Sequence, residues 1–227
     1  MLGKQKSKID MVNKKSKVHP ELVSGSKLKT VEIIRLNLPL TKKDVLSLKV
    51  GDRVLITGQI VTGRDKIHKF LFNKRPKMKD IPFNLKGAVL YHCGPIIKKT
   101  EEGFNLIAGG PTTSIRVEMY EPKIISDYGI RAIMGKGGMG KKTLKALEEN
   151  GCVYLHTISG AAVYLADRVK RVVSVWKLED FGMAEAMWIF EVEDFPAIVT
   201  MDAHGRSLHE GIEKKSYREL KRLIGID

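Results

Sequence analysis

Apolar positions along the chain fall into short blocks whose spacing changes from one block to the next. Val31, Ile33, Ile34, Leu36 and Leu38 form the first dense block, which reads as a strand. Thr41, with Asp44 three residues on, has the pattern of a helix N-cap with its reciprocal acid. The β-branched run 53–62 predicts a strand that Gly63 ends, 65–73 predicts a short helix, and 87–92 another strand. Residues 104–108 lead directly into Gly109-Gly110-Pro111-Thr112-Thr113, after which a helix begins near Ser114 and restarts around Pro122. Strands are then expected at 129–134, 152–156 and 172–176, with helices at 141–150 and 159–170 between them; Gly151 closes the first of these helices. This β-α-β-α-β order implies parallel strands joined by helical crossovers. Segments 187–192 and 197–201, split by Glu193-Asp194-Phe195-Pro196, predict a late β pair, and 208–225 an amphipathic helix. The expected architecture is α/β, with a mixed early section before a parallel later one, in a single domain of residues 30–227.

Charge changes this picture at one end. Residues 1–29 lack apolar periodicity and carry eight lysines against Asp10 and Glu21, so they read as a disordered extension. The net charge of +14 suits an acidic partner, anionic metabolites or nucleic acid. The basic stretch 66–79 interleaves Phe70 and Phe72 but follows no RNA-recognition pattern, so nucleic acid is not the expected partner. No apolar run approaches the roughly 18 residues of a membrane helix, and the N-terminus lacks a secretory apolar core. Two cysteines, Cys93 and Cys152, make no disulfide framework and fit a reducing cytoplasm. They cannot by themselves hold a zinc ion or an iron–sulfur cluster.

Four segments could carry chemistry. Arg64 stands at a strand-to-helix junction beside Asp65 and His68, where a rigidly held guanidinium suits bidentate carboxylate binding. Pairing of Arg64 with a surface acid is the plain alternative. In Gly110-Pro111-Thr112-Thr113-Ser114-Ile115-Arg116, glycine permits close backbone approach, and the hydroxyls, free amides and Arg116 at a helix start all favour an anion. Capping alone accounts for one hydroxyl and not for the rest. Gly135-Lys136-Gly137-Gly138-Met139-Gly140-Lys141-Lys142 nearly spells a phosphate-binding loop, with Lys142 where a magnesium-binding hydroxyl belongs. It reads either as a nucleotide site or as a turn presenting Lys136 to a carboxylate. Finally, six histidines are scattered without an HExxH pattern or cysteine partners, so no metal site is expected, and His68 is the one with functional neighbours.

These segments, in this order, resemble the C-terminal domain, or separate β subunit, of class I fumarases and L-tartrate dehydratases. The matching text includes Gly63-Arg64-Asp65, Leu85-Lys86-Gly87-Ala88, Cys93-Gly94-Pro95, residues 110–116, Gly135-Lys136-Gly137, residues 157–162, Phe181-Gly182-Met183 and residues 191–197. The likeness spans residues 31–205, with the first 29 outside it. Ser114-Ile115 departs from the Ala-Gly pair expected in single-chain fumarases, and Met139 from their Asn-Arg. The resemblance implies a swivelling β/β/α three-layer domain and a reversible hydro-lyase acting on a 2-hydroxy dicarboxylate, malate to fumarate first and tartrate as the alternative. It implies an oxygen-sensitive 4Fe–4S cluster whose cysteines belong to an α subunit, and a dimer of heterodimers. Thr112 would be the base; Arg64, Arg116, Lys136 and Thr113 would bind substrate, with Asp65 and His68 as accessories.

Overall fold

The computed structural model describes residues 32–225. The lysine-rich segment 1–29 lies outside them. Ile33–Asn37 forms β1, and Lys42–Ser47 forms α1, opened by the expected capping box: Thr41 Oγ1 accepts from the Asp44 amide and Asp44 accepts from the Thr41 amide. Strand β2 (Arg53–Thr62) and helix α2 (Asp65–Lys74) follow, Gly63 and Arg64 alone separating them. Next come β3 (Val89–Tyr91), β4 (Ile96–Thr100) and β5 (Gly103–Ala108). A 3₁₀ turn (Ser114–Val117) precedes α3 (Glu121–Tyr128), so the expected interruption near Pro122 is real. Then follow β6 (Ala132–Gly135), α4 (Lys141–Asn150), β7 (Val153–His156), α5 (Ala162–Ala166), β8 (Val169–Trp176), α6 (Leu178–Phe181), β9 (Met187–Met201) and α7 (Leu208–Ile224).

The order of the main sheet is β1-β2-β3-β6-β7-β9-β8, with β2 also paired to β9. Pairs β1–β2, β2–β3, β3–β6 and β6–β7 are parallel, whereas β9 runs antiparallel to β2, β7 and β8. Because β9 bonds to β2 at one flank and to β7 at the other, strands β2, β3, β6, β7 and β9 close into a ring. One face of those strands buries Ile56, Ile60, Val89, Tyr91, Met134, Leu155, Trp188, Phe190 and Val199, against which Phe104 and Leu106 of the β4–β5 hairpin pack. The other face meets α2, α3 and α4 through Ile67, Leu71, Ile124, Ile125 and Leu147. Hairpin, sheet and helices make three layers of an α/β fold.

Three expectations need correction. The late β pair is one strand of 15 residues: Pro196 sits inside it opposite Leu55, and Asp194 takes a left-handed φ of 49° at a bulge instead of turning the chain back. The helix expected over 159–170 spans only Ala162–Ala166, and Val169 already belongs to β8. The parallel alternation holds for β6 and β7, but β8, expected to continue it, pairs antiparallel with β9 at the sheet edge. Strand β4 was not read at all, because its Lys98, Lys99 and Thr100 hide the alternation.

Candidate active site

The parallel strands point their carboxyl ends the same way, the position at which open α/β sheets bind ligands. Gly63-Arg64 leaves the end of β2, His92-Cys93-Gly94 the end of β3, and Gly135-Lys136 the end of β6. The loop after β5 is drawn onto these ends by backbone bonds. The Thr112 amide donates to the His92 carbonyl (2.8 Å), the Lys136 amide to the Thr112 carbonyl (3.2 Å), and the Ser114 amide to the Lys136 carbonyl (3.0 Å). A tight concavity results, without room for a water molecule, lined by Gly63, Arg64, Asp65, His92, Thr112, Thr113, Arg116 and Val117. Five of the seven residues singled out from sequence line it, from segments far apart in the chain. Lys136 adjoins it, half-exposed and stitched to Thr113 as a short parallel bridge. His68 does not reach it; its ring is fully buried, with Nδ1 donating to the Arg64 carbonyl at 2.7 Å.

Both arginines here have an acid beside them. Arg116 pairs with Asp65, and Arg64 Nε lies 3.4 Å from Glu185. Burial works against the charge on Asp65, but Arg116 outweighs it and holds the carboxyl below its usual range. The acids hold the two guanidiniums in place at the concavity. Gly94 lets Arg64 lie flat on the backbone: a Cβ there would fall 2.5 Å from Arg64 Cδ. Thr112 is half-buried, and its hydroxyl donates to the His92 carbonyl at 3.1 Å. That bond commits the single hydroxyl proton to the loop backbone.

The near phosphate-binding loop is decided by a residue the sequence reading missed. Glu118 occupies the N-terminus of α4, accepting from the Gly140 amide (2.8 Å), the Thr143 amide (3.1 Å) and the Thr143 hydroxyl (2.7 Å). An internal carboxylate thus fills the place a nucleotide phosphate would take. Gly137 and Gly138, both with positive φ (82° and 77°), let the loop turn back over Tyr154 instead. Glu118→Ala should lower stability by about 1–2 kcal/mol, through loss of this cap. Urea unfolding of the variant checks it, and an unchanged midpoint would contradict the assignment.

Residues 6–212 match the family described as the Fumarase C-terminus. The chain belongs to that family. The match begins well before the stretch legible from motifs. A class I fumarate hydratase from Geobacillus stearothermophilus, so named provisionally, is 53% identical over 189 residues, which are 83% of this chain and 36% of that protein. A protein from Methanocaldococcus jannaschii, named provisionally as an L(+)-tartrate dehydratase β subunit, is 46% identical over 82% of this chain and 96% of its own length. The L(+)-tartrate dehydratase β subunit of Escherichia coli K12 is 36% identical over 76% of this chain and 85% of its own. The chain therefore spans about a third of the first relative and nearly all of the second.

Class I fumarases use iron–sulfur clusters, and Cys93 and Cys152 are the thiols this chain could offer to one. Cys93 and Cys152 are both buried, and burial pushes Cys93 up to about 12 and Cys152 higher still. Neither is disposed to become a thiolate, and they do not fit a cluster. Labelling with a thiol reagent at pH 8 should leave both unmodified in the folded chain and modify both in denaturant; rapid labelling of the native protein would contradict this. Among the described residues, the one group of three metal-ligating side chains is His68, His92 and Glu121, all buried. Among the described residues, no helix is long and apolar enough to cross a membrane.

Proposed function

We propose that this chain is the β subunit of a heteromeric hydro-lyase that removes water reversibly from a 2-hydroxy dicarboxylate, and that it acts only with a cluster-bearing α subunit. The observation that carries the reading is the convergence of Thr112, Thr113, Arg64 and Arg116 on one concavity of a Fumarase C-terminus fold. Lengths support the division of labour: two relatives named as β subunits are matched over 96% and 85% of their length, whereas the fumarase-named relative is matched over 36%. The chemistry is incomplete here. The cluster's ligands, and the centre at which the hydroxyl leaves, belong to the α subunit.

In this reading Arg64, Arg116 and Lys136 hold the two carboxylates, Arg64 as a planar fork and Lys136 as a point charge. Thr113 adds a hydroxyl at the rim, and Asp65 orients Arg116. Thr112 takes the proton from the carbon next to a carboxylate. A neutral hydroxyl is a feeble base, so its own proton must first depart to water. The surrounding cations lower the cost of the alkoxide, which then accepts the carbon-bound proton and becomes a hydroxyl again. His68 acts from behind, through the Arg64 carbonyl.

Malate/fumarate is the leading substrate pair and L-tartrate the second, favoured by the two β-subunit relatives. Substrate profiling of the anaerobically assembled two-subunit complex tests this. Turnover of malate, with tartrate slower, supports the first. Turnover of tartrate alone selects the second, and turnover of neither removes both.

A further inference from the structure

Glu121, the first residue of α3, is fully buried with a histidine on each side. One carboxylate oxygen, Oε2, lies 3.0 Å from His68 Nε2 and 3.3 Å from His92 Nε2. Neither ring N–H is aligned on the oxygen well enough for a hydrogen bond, so the attraction is through space and strongest for a charged ring. Beyond the histidines the contacts continue in both directions. His68 Nδ1 reaches the Arg64 carbonyl at 2.7 Å. His92 Nδ1 lies 2.9 Å from Ser114 Oγ, Ser114 Oγ lies 2.9 Å from the Tyr154 hydroxyl, and the Gly138 amide donates to that hydroxyl at 3.3 Å. His92 also holds Thr112, because its carbonyl accepts both the amide and the hydroxyl of that residue. All five connecting side chains are fully buried.

We propose that this buried chain, running from the Arg64 carbonyl through His68, Glu121, His92, Ser114 and Tyr154 to the Gly138 amide, is a positioning unit that fixes the Arg64, Thr112 and Gly137-Gly138 loops in one register. Glu121 is its central positioning residue. What is being positioned rests on the dehydratase reading; the network itself does not. Of its residues between the Arg64 carbonyl and the Gly138 amide, only His92 is among those lining the concavity, so the unit acts through Arg64 and Thr112. Buried charge is expensive to maintain and contributes little net stability, yet it specifies one arrangement of the groups around it. Charge balance gives the network a direction. Burial alone would raise the Glu121 carboxyl, but the two imidazoles hold it at about 2. Burial lowers both histidines; Glu121 overcomes this at His68, whereas His92 stays below its usual value. Glu121 therefore favours the charge on His68 over His92, and a neutral His92 ring would carry its proton on Nε2, facing Glu121. Its Nδ1 then accepts from Ser114, and Ser114 accepts from Tyr154.

The test uses the full chain assembled with its cluster-bearing partner, comparing wild type, Tyr154→Phe, Glu121→Gln and the double variant. A positioning role predicts a kcat loss of roughly 10- to 100-fold in each single variant. The double variant should lose no more than the worse single, because the two changes break one unit. Wild-type kcat in both singles with only a lower Tm, or a double loss equal to the product of the single losses, would overturn the proposal. A second arm needs no turnover: nitrogen NMR of the histidines in the isolated full chain at neutral pH. One imidazolium and one Nε2-protonated neutral ring are expected, Tyr154→Phe shifting the neutral ring and Glu121→Gln discharging the other. Two neutral rings insensitive to both variants would overturn the network, as would a stoichiometric metal ion lost in Glu121→Gln. An assembled enzyme inactive on every hydroxy acid would sink the dehydratase reading and leave this arm to decide the network.

Discussion

Replacing Thr112 by alanine in the assembled enzyme should lower kcat by roughly 10²- to 10⁴-fold, with KM within a few-fold of wild type. The asymmetry follows from where the residue sits. Its backbone carries the bonds that hold the loop: the amide donates to His92 and the carbonyl accepts from Lys136. Alanine keeps both, so the concavity and its cations should survive. The hydroxyl and one methyl are lost, and the hydroxyl is proposed to work in proton transfer and not in binding. Thr112→Ser, which retains the oxygen, should recover most of the rate. A variant with full kcat would remove Thr112 from the chemistry.

Substitution of Arg64 should act chiefly on binding. If Arg64 grips a substrate carboxylate as proposed, Arg64→Ala should remove two charge-assisted bonds, which at about 1.5 kcal/mol each would raise KM on the order of 10²-fold. Arg64→Lys should restore only part of the loss, since an ammonium cannot reproduce the planar fork. The effect has a structural corollary at Gly94, where alanine would press on Arg64 Cδ and should reproduce a milder form of the same KM defect. Steady-state kinetics on all three variants check this. An unchanged KM in Arg64→Ala would mean that the pairing with Glu185 is the whole role of this arginine.

Much of this arrangement is legible in the sequence because its signals are local. The Thr41–Asp44 capping box, the β-branched β2 and the glycine after α4 each announce themselves within a few residues. So does the loop from Gly110 to Arg116, whose glycine, hydroxyls and arginine lie within one short stretch. What stayed hidden depends on partners distant in the chain. Pro196 and the acids before it look like a break, yet β9 continues because Asp194 takes the strain at a bulge and Thr57 accepts its amide hydrogen. Glu118 is an ordinary acid in sequence and becomes the cap of α4 only when the 3₁₀ turn brings it beside Gly140. Glu121, His92 and Tyr154 likewise acquire meaning only as neighbours. Ser114, noted at first as a departure from the single-chain fumarases, turns out to bridge His92 and Tyr154.

The most direct measurement is the ultraviolet absorbance of an unsaturated dicarboxylate formed anaerobically from malate by the cluster-bearing subunit, with and without this chain. The account predicts turnover only when both chains are present, and none from this chain alone. Full turnover by the cluster-bearing subunit without it would contradict the claim that this chain supplies the base and the carboxylate grip.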